Sequence, residues 1–290
     1  MPGSIALVTD STATLPLDLC EKRGIVVVPL QVVIGAQSFD EGTDDGATPE
    51  TVATALSEWT PVSTSRPTPA AILEAYEKAV AEGATEIVSV HLSSQMSGTY
   101  ESALLAAASA SVPVTAVDSR QLGMATGFAV LTAADVLDAG GSAADAAAAA
   151  QARADATTSL FYVDTLEHLR RGGRIGAAAA LLGSALSVKP LLKLEDGRIG
   201  TLEKVRTSSR ALSRLEELAV EAAGDEQVDV AVAHLANGER ADLLAGNLRE
   251  RLAGNLDGRD VAACEVGAVI GAHVGPGMVA VVVAPLPPLG

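Results

Sequence analysis

The chain has 290 residues, enough for one large domain or two moderate ones around a sizeable core. Its formal net charge of −16 and pI near 4.6 argue against nucleic acid, whose phosphates demand basic surface, and against docking on an anionic membrane. The two cysteines, Cys20 and Cys264, lie far apart without metal or redox spacing and read as reduced thiols of a cytoplasmic protein.

From the N-terminus, short Val- and Ile-rich runs alternate with helical patterns. "IALVTD" (5–10), "IVVVPLQVVI" (25–34), "EIVSVHL" (86–92) and "VTAVDS" (114–119) read as strands, and no basic leader precedes the first of them. Between them lie "PLDLCEKRG", "PETVATALSEW", "PAAILEAYEKAVAEG" and "GTYESALLAAASA", several opening on Pro at a first helical turn. Near-continuous apolar strands separated by helices predict a parallel sheet covered on both faces. Two further helices, "GFAVLTAADVLDAGG" and the Ala-rich "SAADAAAAAQARADA", close an N-terminal α/β domain, residues 1–155. The rest, 156–290, reads as an α+β domain: strand 159–165, a short helix in "LEHLRRGG", and an apolar helix 175–188 too short to span a bilayer. Asp196-Gly197 between alternating runs predicts a hairpin. Helices 207–223 and 238–253 then alternate with "VDVAVAHLA", "DVAACEVG" and "MVAVVVAP".

Two strands end alike, at Asp10-Ser11-Thr12 and at Asp118-Ser119, and a third runs into Ser93-Ser94. In an open parallel sheet, ligands bind beyond the carboxyl ends of the strands. Helix capping explains each Asp-Ser singly; three polar strand ends on one rim favour a site. Hydroxyls also cluster before two helix starts, as Ser63, Thr64 and Ser65 and as Ser93 to Thr99, where unpaired N–H groups and the helix dipole favour an anion. Neither cluster matches a nucleotide fingerprint. Arg170, Arg171 and Arg174 in "HLRRGGRIG" fit C-terminal capping, yet in so acidic a chain they are also candidate anion or partner contacts, as is Arg206. His273 sits in a turn bounded by Gly271, Gly275, Pro276 and Gly277, whereas His91 and His234 lie in strand runs and read as structural. No histidine pair has zinc-ligand spacing, and "FDEGTDD" (39–45) reads as a solvated acidic turn.

"VTDSTATLP", "STSRPTPAAILEAY", "VHLSSQMSGTYESA", "VDSRQLGMATG", "DTLEHLRRGGRIG", "KPLLKLEDGRI" and "HVGPGMVAVV" resemble, in that order, the DegV family over residues 4–284. These are bacterial fatty acid-binding proteins, including the FakB subunit of bacterial fatty acid kinase. One departure is the arginine of "TSRPT", where Gln is more usual. The resemblance implies a two-domain protein with a lipid tunnel, its head-group site near the domain junction. It implies a non-catalytic carrier without cofactor that holds one long-chain fatty acid as ligand; the chain is expected to be a monomer, which the sequence itself leaves open. Thr64 and the Ser93-Ser94 pair, with Ser65 beside them, would bind the carboxylate, and His273 would lie close to it. Arg206, with Arg170 and Arg171, would engage a separate dihydroxyacetone kinase-like, ATP-using subunit that converts the carboxylate to an acyl phosphate. The charge-free helix 175–188 could line the acyl sleeve. Two competing readings are a stand-alone phosphotransferase or hydrolase with Asp10 as nucleophile, and a DNA-binding regulator. The first lacks a Gly-x-Ser-x-Gly elbow or a second Asp at phosphatase spacing, and the second conflicts with the charge.

Overall fold

Runs of Val and Ile at consecutive positions suit strands buried on both faces. The computed structural model describes residues 4–43, 45–181 and 189–287. Its first half contains strands β1 (Ser4–Asp10), β2 (Ile25–Val28), β3 (Gln31–Ile34), β4 (Gln37–Asp40), β5 (Val62–Ser65), β6 (Ala84–His91) and β7 (Val114–Asp118). Four of them form a parallel sheet in the order β2-β1-β6-β7. Asp10 pairs in register with Val28 and His91 with Asp118, so Asp10 and Asp118 flank β6 on the carboxyl rim.

The run 25–34, expected as one strand, is two. Pro29 has no N–H to give a ladder, and the chain turns there, with the Leu30 N–H donating to Ser11 Oγ at 3.0 Å. β3 then joins a small antiparallel sheet of order β4-β3-β5. The stretch 39–45, expected to be solvated, begins inside β4 and carries the buried Glu41.

The second half supplies β8 (Thr158–Tyr162), β9 (Lys189–Glu195), β10 (Arg198–Val205), β11 (Val228–His234), β12 (Val261–Glu265) and β13 (Val279–Pro285). They form a mixed sheet, order β10-β9-β8-β13-β11-β12, in which only β11 and β12 run parallel. Asp196 and Gly197 both take positive φ, 49° and 76°, and close the β9–β10 hairpin with Glu195 opposite Arg198. Such paired positive φ values match the twist of the flanking strands. The fold is therefore α/β, an N-terminal parallel sheet followed by a C-terminal mixed one.

Period-2 alternation divides the mixed sheet. Leu160, Tyr162, Val230, Val232, Val279 and Val281 face helices Ser208–Ala223 and Gly238–Arg251 in one apolar cluster. Phe161, Ala231, Ala233, Ala280 and Val282 face the other way, toward the N-terminal half. The helix pair Met124–Asp138 and Ala143–Ala156 fills the gap between the sheets. Ala133, Ala146 and Ala150 pack with Leu7 and Val90 of the parallel sheet, and Met124, Ala125 and Phe128 pack with Ala231 and Val282 of the mixed one. Alanines keep this pair thin enough to lie close to both layers. Of the apolar segment expected as helix 175–188, Gly176–Leu181 forms a 3-10 turn; residues 182–188 lie outside the described residues.

Candidate functional site

Small residues on the inner face of the mixed sheet, Ala280 among them, leave space that no side chain of the described residues fills. A cavity of about 440 Å³ lies there, of small-molecule size. Its walls are apolar and come from elements far apart in sequence: Leu92 and Met96, Phe161 and Val282, Leu194 and Ile199 of the hairpin, and Val269, Ile270 and Val274 of helix Ala268–Val274.

Of the cavity's polar groups, Thr12 and Ser159 are engaged with Asp10 and Gln121, and the others belong to β5 and its exit, the 97–98 loop, Arg174 and His273. Thr64, Ser65 and Arg66 follow one another along β5 and its exit, and all three line the cavity. β5 alternates, so Thr64 is turned inward between the exposed Ser63 and Ser65. Thr64 Oγ1 lies 2.8 Å from His273 Nε2. Opposite, Ser97 and Gly98 line the cavity, and Ser97 Oγ is paired with the buried Thr99 hydroxyl at 2.9 Å. Two guanidinium groups clamp this loop. Arg174 Nε donates to Met96 O at 3.1 Å, and Arg66 Nη1 donates to Gly98 O at 3.2 Å. Gly98 is required for the second contact, since a Cβ there would meet Arg66 Nη1 at 1.8 Å.

His273, expected in a turn, occupies the last helical turn of Ala268–Val274, which Gly275 ends at φ 75°. Local Gly and Pro residues mark the end of this helix; its start is secured from elsewhere. Glu41 Oε1 accepts the Val269 N–H at 2.7 Å, and burial raises the Glu41 carboxyl pKa. Burial, with Arg174 nearby, depresses His273 to about 4, so the imidazole is neutral at pH 7. Among the described residues Nδ1 is buried without a partner, and it faces Gly172, where a Cβ would approach it at 2.1 Å. An unpaired buried N–H costs more than an unused lone pair, so we assign the proton to Nε2, donating to Thr64. Thr64 then keeps its own hydroxyl proton for whatever enters the cavity.

Ser93 and Ser94, expected beside a ligand head group, are not among the described residues that line the cavity. The fully buried Ser93 Oγ donates to Gly197 O at 2.7 Å and accepts the Gln95 N–H at 3.2 Å, tying the loop to the hairpin. Ser94 gives its N–H to Asp118 at 3.0 Å. Ser93 O accepts the N–H groups of both Met96 and Ser97, making one tight turn. The residue four positions on, Ser97, is the one that turn delivers to the cavity.

Asp10 and Asp118 share a rim, but both serve local backbone. Asp10 is fully buried and accepts from Thr12 N, Thr12 Oγ1, Leu92 N and His91 Nδ1 at 2.5–3.1 Å. His91 Nε2 lies 2.7 Å from Ser89 Oγ, which also accepts from Tyr76 Oη at 2.9 Å. This Tyr76–Ser89–His91–Asp10 chain has the order of a hydrolase triad, yet none of its members is exposed. It braces Thr12 and Leu92, both cavity residues, from behind.

Arg170 and Arg171 lie on the surface and both pair with Glu167, at 2.7 and 2.8 Å. The exposed Arg206 has no side-chain partner among the described residues. Also among the described residues, no cluster of His, Cys, Asp and Glu could hold a metal ion, and no helix is long and apolar enough to cross a membrane.

The model of a family described as "Uncharacterised protein, DegV family" matches residues 4–286. The chain belongs to the DegV family. A DegV domain-containing protein of Streptomyces coelicolor is 52% identical over 283 residues, which cover 98% of this chain and 99% of the relative. A DegV domain-containing protein of Mycobacterium tuberculosis is 35% identical over 97% of both chains. Among solved structures, a DegV family protein from Thermus thermophilus, described for its fatty acid binding, superposes at TM-score 0.88 with 31% identity. DegV from Bacillus subtilis, described as a fatty acid-binding protein, matches equally, each aligned over 98% of this chain and 100% of its own. In a DegV protein so built, Thr64, Ser97, Arg174 and His273 at the cavity's polar end are legible by residue type, whereas Arg66 stands out only as a departure from the family pattern, because its hold on Gly98 spans 32 residues.

Proposed function

We propose that this DegV protein carries one long-chain fatty acid in the apolar cavity and presents its carboxylate to a separate ATP-using subunit. The observation that carries this reading is a sleeve of apolar side chains closed at one place by paired hydroxyls, Thr64 with His273 and Ser97 with Thr99. An acyl chain of about fifteen methylenes, at roughly 0.8 kcal/mol each, contributes on the order of 12 kcal/mol before ordering costs. Affinity then comes from the tail and orientation from the head. Thr64, accepting from His273, keeps a hydroxyl proton for a carboxylate oxygen, and the Ser97 hydroxyl lies with buried Thr99 at the same cavity wall. Arg66 and Arg174 stand beside them to offset its charge. Ser65, whose hydroxyl is engaged with Gln31 at 3.1 Å, lines the mouth.

Phosphoryl transfer is the partner's chemistry. A carboxylate oxygen attacks the terminal phosphorus of ATP, ADP leaves, and a mixed acyl–phosphate anhydride forms. Neutral His273 leaves the carboxylate ionised and nucleophilic. Arg206, Arg170 and Arg171 are the proposed contacts with that subunit. The competing enzyme reading, with Asp10 as nucleophile, has no support in a carboxylate that is wholly buried and accepts four hydrogen bonds.

Native mass spectrometry of freshly purified protein tests the proposal. The expected result is a mass increment of one fatty acid, reduced in a folded Thr64→Ala/Ser97→Ala double variant. A bare protein that also takes up neither oleate nor palmitate would end the carrier reading.

A further inference from the structure

The sequence holds a single tryptophan, and the structure leaves it in water: Trp59 is 74% exposed. It stands where glycine is the rule. Helix Pro49–Ser57 ends in a Schellman motif, with Thr60 N–H donating to Ala55 O at 2.9 Å and Trp59 N–H to Leu56 O at 3.3 Å. The residue between helix and exit must be left-handed, and Trp59 has φ 60°. Among the described residues, the other non-glycine positions with positive φ are Thr14, Arg120, Asp196, Ala236 and Asp257; Trp59 is the one aromatic. A bulky side chain here costs backbone strain, and exposure forgoes the burial that would repay it. One face of the indole is covered by the Arg171 guanidinium, 5.1 Å from the ring centroid. Arg171 precedes Gly172, the residue that His273 Nδ1 faces, so the pair lies beside the cavity's polar end.

We propose that Trp59, with Arg171 against its ring, is the docking contact for the protein that acts on the ligand's head group. The inference rests on the carrier reading above and adds to it a site of contact. Exposed Trp paired with Arg is the composition of an interface hot spot. A protein occupant fits better than an anionic bilayer: Glu167 already pairs with both Arg170 and Arg171, and the whole chain carries −16. What the patch offers is a flat, pre-set aromatic face.

The lone tryptophan makes the test direct. Full-length, lipid-loaded protein is titrated with the purified ATP-using subunit while indole emission and acyl phosphate formation are followed. The emission is expected to shift to the blue saturably. Trp59→Gly should keep its lipid and melt at the same or a higher temperature, because glycine relieves the strain, yet lose affinity for the subunit by about tenfold or more. Trp59→Phe, as strained but still aromatic, should retain most of it. Unshifted emission during active phosphorylation, or wild-type affinity in Trp59→Gly, overturns the inference. So does a shift produced by phosphatidylglycerol vesicles and not by the subunit, which would assign the patch to a lipid surface. Lipid-loaded protein that the subunit neither binds nor phosphorylates removes the proposed partner and the docking site together. Protein that neither holds nor takes up lipid fails earlier, at the carrier reading itself.

Discussion

His273 shows how one side chain links the site to stability. The unfolded chain takes up the imidazole proton near its ordinary value of 6.5, and the folded chain only near 4. Between those values the unfolded state binds more protons, so lipid-free protein loses stability as pH falls from 6.5 toward 4, by up to roughly 3 kcal/mol. His273→Gln should flatten that part of the profile, as urea denaturation at pH 7 and pH 4.5 would show. Asp10 is the second informative residue. Replacing it by Asn sets an amide N–H against the donors Leu92 N and His91 Nδ1, and should cost roughly 2–4 kcal/mol. If denaturation showed no loss, the bracing role given to the buried chain would be withdrawn.

At the scale of elements, two glycines separate a rigid neighbour from a yielding one. A Cβ at Gly172 would lie 2.1 Å from His273 Nδ1 and 3.3 Å from His168 O, so the imidazole or helix Ala268–Val274 must move. Gly172→Ala should destabilise by about 1–3 kcal/mol and release bound lipid. A Cβ at Gly98 also collides, but with the far end of Arg66, an exposed arm free to swing aside. Gly98→Ala should therefore stay within about 0.5 kcal/mol of wild type. Melting temperatures with native mass spectra of both variants distinguish the two cases.

For the whole molecule, the question is what joins the two sheets. Arg153, on helix Ala143–Ala156 and 3% exposed, donates to Pro285 O and pairs with Asp229, so one guanidinium links the helix pair to β11 and β13. Burial pulls its pKa down while Asp229 raises it, the balance expected of a buried ion pair. Gln121 extends the link: its amide donates to Ala154 O and Thr157 O, both at 3.0 Å, and accepts from Ser159 at 2.9 Å. Arg153→Ala should cost about 3 kcal/mol, by leaving the Pro285 carbonyl unpaired and Asp229 with Arg259, at 3.1 Å, in place of two guanidinium partners. Arg249→Ala, which breaks the exposed pair with Asp260, should cost less than about 1 kcal/mol. Equal shifts in the two variants would mean that the sheets are held by apolar packing alone.

Much of the fold is legible locally. The strands of the parallel sheet announce themselves as Val/Ile runs between helices, and Asp196-Gly197 specifies its hairpin through two positive φ angles. Pro29 was legible too, since a missing N–H must interrupt a ladder; composition on either side of it masked the break. The site is a different matter. Its hydroxyl-rich loops could be found by residue type, but the serine that reaches the cavity is chosen by a turn at Ser93 and two arginine clamps, and His273 sits on a helix whose start is held by Glu41, 228 residues earlier. Sequence by itself determined the alternation of strands and helices, because periodicity and turn chemistry act over a few residues. Only the tertiary structure decided where polar groups meet apolar walls, because a cavity is what remains when distant elements have packed, and no local pattern encodes the space between them.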